Sequence, residues 1–172
     1  MKKTLRGFTF IEVLLYIGLF SLLGTAMLTF AWDIIELSER GKTERLITEE
    51  GRLALVRIES LIRDSAGVDE SASTWDDADG ILVLNEFGSS DTVTLYRQNG
   101  QIMMRQSGHD PIALQSRNVQ VSSLFFRNFS SADKSGMYID IAVTVETLPT
   151  LPHQYSSSLT LQTGVTSRNL GL

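Results

Sequence analysis

The sequence predicts an α+β protein in which one long N-terminal helix packs on an antiparallel β-sheet. Three observations predict it. Twenty consecutive residues from Val13 to Trp32 carry no charge, a helical apolar period continues beyond them to about residue 67, and strict two-residue alternation begins at Ile81. A chain of 172 residues has room for one globular unit with a real core and one further element.

The charge-free run comes first. At 1.5 Å per residue a twenty-residue helix spans about 30 Å, the hydrocarbon thickness of a bilayer. Lys2, Lys3 and Arg6 precede the run and Asp33 and Glu36 follow it, so the positive-inside bias puts the N-terminus in the cytoplasm and the following residues outside. A secretory signal peptide has a shorter core of about 7 to 15 residues, and the next stretch, "AWDIIELSERGKTERL", stays helix-forming. Glu12, near the start of the run, is the anomaly. Thr9-Phe10-Ile11-Glu12 fits a capping box, and a first-turn carboxylate suits the helix dipole. Together these are worth about 1 to 2 kcal/mol, against roughly 2.5 to 3.5 kcal/mol for a charge at mid-membrane. Capping permits Glu12 without requiring it.

After Trp32 the sequence becomes charged but keeps a helical period. Ile47, Ala54, Ile58, Leu61 and Ser65, with Leu55 and Ile62 beside them, form an apolar stripe that another layer must cover. Arg52, Arg57, Glu59, Arg63 and Asp64 lie largely off the stripe and read as a solvated face, with Glu59 and Arg63 as a favourable i, i+4 pair. Gly41 suits a bend, Gly51 suits the close approach of a strand, and Gly67 suits a helix C-cap.

Ser71 to Gly80, "SASTWDDADG", is a polar loop. Close-set carboxylates are the ligands calcium takes, which makes Asp76, Asp77 and Asp79 the candidate metal ligands. Their spacing does not match the D-x-D-x-D-G loop with its distant Glu, so a solvated turn with no cofactor is the expectation. Six strands follow, over 81–87, 92–98, 101–106, 119–129, 137–147 and 156–165, with Asn99-Gly100 as a type I′ hairpin. Ile139, Ile141, Val143 and Val145 share one face, leaving Asp140, Ala142, Thr144 and Glu146 opposite; this predicts a sheet wet on one side and covered by the helix stripe on the other.

Composition narrows the function. With no cysteine, disulfides, thiolate metal sites and cysteine nucleophiles are excluded. A formal charge of -5 opposes nonspecific nucleic-acid binding, which needs a cationic field. The Ser-rich "HQYSSSL" begins at His153, yet there is no G-x-S-x-G elbow and no acid partner, and neither His109 nor His153 has metal-ligand spacing. A non-catalytic protein is expected.

The stretch "RGFTFIEVLLYIGLFSLL" resembles the N-terminal signature of type IV pilins and type II secretion pseudopilins: a basic leader ending in Gly, an aromatic residue, Glu four positions later, then a long apolar helix. The resemblance implies that residues 1–7 are a prepilin leader whose basic residues are Lys2, Lys3 and Arg6. A membrane prepilin peptidase would cut after Gly7 and methylate the new amino terminus of Phe8. Residues 8–32 would be the transmembrane and assembly helix, 33–67 the amphipathic helix of the globular domain, and 68–172 a β-rich, pilin-like head. Glu12 would then be an assembly residue, pairing in a low-dielectric bundle with the terminal amine of a neighbouring subunit and so setting axial register. Implied partners are other pilins or pseudopilins, the prepilin peptidase, and an inner-membrane assembly platform with its ATPase. Implied location is the inner membrane, single-pass, and later a pilus or periplasmic pseudopilus. Cleavage would leave 12 basic against 20 acidic residues.

Six strands in 172 residues suit a minor subunit better than a major one. "LALVRIESLIRDSAGV" (Leu53 to Val68) is similar to the helix end of J-type minor pseudopilins, and "VTSRN" (Val165 to Asn169) resembles the closing strand of several minor pilins. The absence of cysteines departs from many major pilins, which close a C-terminal disulfide loop. Two alternatives stand beside this reading: a single-span, membrane-anchored extracytoplasmic binding domain, and a minor pilin of a DNA-uptake filament.

Overall fold

Fifty-four residues without a proline, Phe10–Arg63, form helix α1 in the computed structural model, which describes residues 9–129, 137–147 and 157–167. The chain divides into two compact units at Gly41. In the first, everything described from Phe10 onward is helix. The second holds the rest of α1 and all the described strands.

In the second unit the helix buries Ile47, Gly51, Ala54, Leu55, Ile58 and Ile62, with Leu61 partly packed against them. This is the apolar stripe read from the sequence. Gly51 permits a close approach: a Cβ there would stand 2.5 Å from Leu161 Cδ1 and 3.1 Å from Val145 Cγ2, so a methyl would force the Leu161 side chain to shift and crowd that of Val145. Gly41 stays within the helix, with no atom near the space its Cβ would fill.

The helix does not run on to a glycine cap. It stops at Arg63, where the Ser65 hydroxyl donates to the Ile62 carbonyl (2.7 Å) and the Asp64 amide donates to Ser60 (2.9 Å). These bonds satisfy carbonyls that the last turn leaves open. Gly67 instead opens strand β1 (Gly67–Val68), paired with Asn85.

Among the described residues eight strands form two antiparallel sheets, where alternation alone suggests six strands in one. The five-stranded sheet has the order β1, β2 (Leu82–Asn85), β3 (Thr92–Gln98), β4 (Gln101–Gln106), β5 (Ile112–Ala113). The three-stranded sheet is β6 (Val119–Asn128), β7 (Met137–Thr147), β8 (Ser158–Ser167). The break has a local cause. β5 follows Pro111, which has no N–H, and stops after two residues. Beyond it the buried Gln115 side chain takes the place of a paired strand, accepting from the Ile102 amide (3.0 Å) and donating to the Gly100 carbonyl (3.4 Å). The next strand is free to pair with β7.

The β3–β4 hairpin turns at Asn99 and Gly100, with φ of 51° and 72° as a type I′ turn requires. Ile139, Ile141, Val143 and Val145 of β7 are buried in the core that the helix stripe shares. The opposite face of β7 is drier than its alternation suggests. Asp140 and Ala142 are buried there as well, because β7 is the central strand and long side chains from both neighbours cover it. Asp140 accepts from Arg127 Nη1 (3.3 Å) and from Gln162 Nε2 at 2.8 Å to each oxygen, so its charge is paired and hydrogen-bonded.

Candidate functional site

The N-terminal half of α1 is the most unusual surface of the protein. The Thr9 carbonyl accepts from the Glu12 amide (3.1 Å) and the Val13 amide (3.2 Å), which makes Thr9 the residue that starts the helix. From Phe10 to Trp32, fifteen large apolar side chains are exposed, among them Phe10, Leu15, Phe20, Met27 and Trp32. Fully covering a side chain of this kind is worth about 1.5 to 3 kcal/mol, so the set amounts to roughly 20 kcal/mol or more. That exceeds the typical net stability of a domain, about 5 to 15 kcal/mol. The segment is long and apolar enough to cross a membrane, and its most apolar stretch is left unburied.

Its few polar groups suit such a medium. The hydroxyls of Ser21 and Thr25 donate to the carbonyls of Ile17 and Ser21 (both 2.8 Å), and Thr29 donates to Ala26 (2.9 Å). Each donor is consumed within the helix and needs no water.

Glu12 is the exception. Its main chain is in the first turn, but among the described residues its carboxylate has no hydrogen-bond or ion-pair partner, and the reciprocal side-chain bonds of a capping box do not form between Thr9 and Glu12. Gly7 and Phe8, and the leader residues Lys2, Lys3 and Arg6, lie outside the described residues.

The three loop aspartates do not converge. Asp79 Oδ1 accepts from Arg97 Nε (2.6 Å), Asp76 Oδ1 lies 3.6 Å from Arg127 Nε, and Asp77 Oδ1 accepts the Asp79 amide (3.0 Å). Their partners are two guanidiniums and a main-chain N–H. Among the described residues no group of three or more acidic or histidine side chains is placed to hold a metal. His109 is exposed, with Nδ1 3.1 Å from the Ser107 carbonyl, and His153 lies outside the described residues.

Two charges read from sequence as a solvated face, Arg57 and Glu59, are tethers. Arg57 donates to the Leu114 carbonyl, and Glu59 accepts the Thr163 hydroxyl while also facing Arg63 at 3.5 Å; Glu50, which the sequence reading did not single out, accepts the Ser116 amide (3.0 Å). Helical spacing could not reveal these long-range contacts, since the residues they join are 57, 66 and 104 positions apart.

Comparison with protein-family models finds no match, and comparisons with curated proteins and with solved structures find none either.

Proposed function

We propose that this chain is a non-catalytic minor subunit of a membrane-rooted helical filament, a pilus or a type II secretion pseudopilus, processed after Gly7 and assembled through its N-terminal helix. The observation that carries the proposal is Glu12: a carboxylate without a partner among the described residues, at the head of a span-length apolar helix. An ionised group that enters an apolar bundle is retained where something pairs with it. Cleavage after Gly7 would create a fitting partner, the amine of Phe8 on a neighbouring copy or a related subunit. Phe8 precedes Glu12 by four residues in the sequence, so a stagger of about 6 Å between adjacent subunits, four residues at 1.5 Å each, would bring the two charges together.

N-terminal mass spectrometry of the purified chain tests the first step. A mature end at methylated Phe8 is the expected result, and an unprocessed Met1 end would sink the reading. Glu12→Gln tests the second. Removing one partner of a desolvated ion pair is worth about 3 to 5 kcal/mol, so incorporation into filaments should fall on the order of a hundredfold or more. A Glu12→Gln variant that keeps its function unchanged would overturn the assembly role of Glu12 and point instead to a single-span anchored binding domain.

A further inference from the structure

The two edges of the three-stranded sheet are treated differently. Among the described residues β8 pairs only with β7. The outer edge of β6 is covered by the loop Thr74–Gly80, which lies along it. The Asp76 amide donates to the Phe126 carbonyl (2.9 Å), the Leu124 amide donates to the Ala78 carbonyl (2.8 Å), and the Gly80 amide donates to the Leu124 carbonyl (2.9 Å). Asp79 bridges Leu124 in parallel register. The loop is therefore a substitute strand that satisfies edge groups otherwise open to another chain.

Two arginines on different strands hold this segment. Arg97 on β3 reaches Asp79 with both Nε and Nη2 and donates to the Val121 carbonyl (3.4 Å); Arg127 on β6 reaches Asp76 and also Asp140. Both aspartate side chains are largely exposed, at 64% for Asp79 and 73% for Asp76. The fastenings are thus accessible to salt, while the main-chain bonds beneath them depend on close contact. Gly80 sets that contact: a Cβ would stand 2.7 Å from the Leu124 carbonyl oxygen and 2.9 Å from the Phe126 ring. Trp75, packed partly into the core, anchors the other end.

We propose that Thr74–Gly80 is an ionic-strength-sensitive strap, latched over the β6 edge by Arg97–Asp79 and Arg127–Asp76, whose release frees the Leu124 and Phe126 main-chain groups from the loop. The inference does not depend on the filament reading. At 1 M salt the screening length falls to about 3 Å, comparable to the ion-pair distances, so high salt should loosen the strap without touching the β6–β7 ladder.

Amide hydrogen exchange on the full-length chain in detergent micelles tests this. Asp76→Asn and Asp79→Asn remove charge conservatively, and Asn tolerates the left-handed backbone at position 76, where φ is 55°. Each variant should speed exchange at the amides of position 76, Gly80 and Leu124 by about twofold to fivefold, and the double variant by roughly tenfold, with Ile141 and Val143 amides unchanged. Raising salt to 1 M should do the same to the unmodified protein and little to the double variant. Unchanged strap amides in the double variant would overturn the proposal. Equal acceleration of Ile141 and Val143 would overturn it too, because the charges would then stabilise the whole domain and not a separable strap. Gly80→Ala should open the strap further; should it fail to fold, the salt series and the two Asn variants still decide.

Discussion

One helix runs from Phe10 to Arg63, yet its two halves have opposite surroundings. In the first, Ile17, Leu19 and Leu23 are more than half exposed; in the second, Ile47, Ile58 and Ile62 are at 0 to 1%. Gly18 and Gly24 have open space where a side chain would stand, while Gly51 has two strands against it. The backbone is helical in both, so helix propensity does not account for the contrast. A helix apolar on all sides needs an apolar medium, whereas a striped helix needs one covering layer. The second half has its layer in strands such as β7 and β8, and the first has no covering layer among the described residues.

The contrast breaks most sharply at paired isoleucines. Ile58→Ala should destabilise the head by about 2 to 5 kcal/mol, read as a lower denaturant midpoint with unchanged slope. Ile17→Ala should leave that midpoint in place, and an equal loss at both sites would abolish the distinction. Next are the glycines. Gly51→Val should cost about 1 to 3 kcal/mol through overpacking against Leu161 and Val145. Gly41→Ala, in open space on a polar stretch of helix, should instead stabilise the helix by up to about 1 kcal/mol. Slower amide exchange around residue 41 is the readout there.

Elements that declare themselves through local pattern are legible in the sequence. The stripe from Ile47 to Ile62, the close approach at Gly51 and the Asn99-Gly100 turn depend on spacing or on backbone conformations few residues accept. Glu12 is legible as an anomaly, a charge where apolar residues belong. What the sequence hides depends on contacts between distant positions. Arg97 and Asp79 are 18 positions apart, Arg127 and Asp140 are 13, and Glu59 and Thr163 are 104; no periodicity links them. The division into two sheets is hidden for a related reason. Alternation fixes which face a residue takes, but not which strand it pairs with, and here the Gln115 side chain decides the break. The helix end escapes sequence reading because a glycine near the expected terminus is only one way to satisfy last-turn carbonyls, and Ser65 supplies another.

The smallest effect lies just past the helix, where the second half of α1 gives way to the sheets. Asp69 Oδ1 accepts from the Ser71 hydroxyl (2.7 Å), the Ser71 amide (3.0 Å) and the Ala72 amide (3.1 Å). The Ser71 hydroxyl, followed by the Ala72 amide, holds the Asp69 carboxyl below its ordinary range, because each bond favours the ionised form. The sign follows from the depressed value. The stabilisation is present in full above the unfolded carboxylate range, about pH 3.9, and is lost as pH falls through the lower folded value. Ser71→Ala should therefore move the Asp69 midpoint upward in a carboxyl-carbon NMR titration and narrow the acid range over which the loop loses stability. Amide exchange in the first half of α1, which belongs to the other compact unit, should not respond to the change. A midpoint for Asp69 that stays in place without the Ser71 hydroxyl would mean that the two backbone amides alone hold the charge.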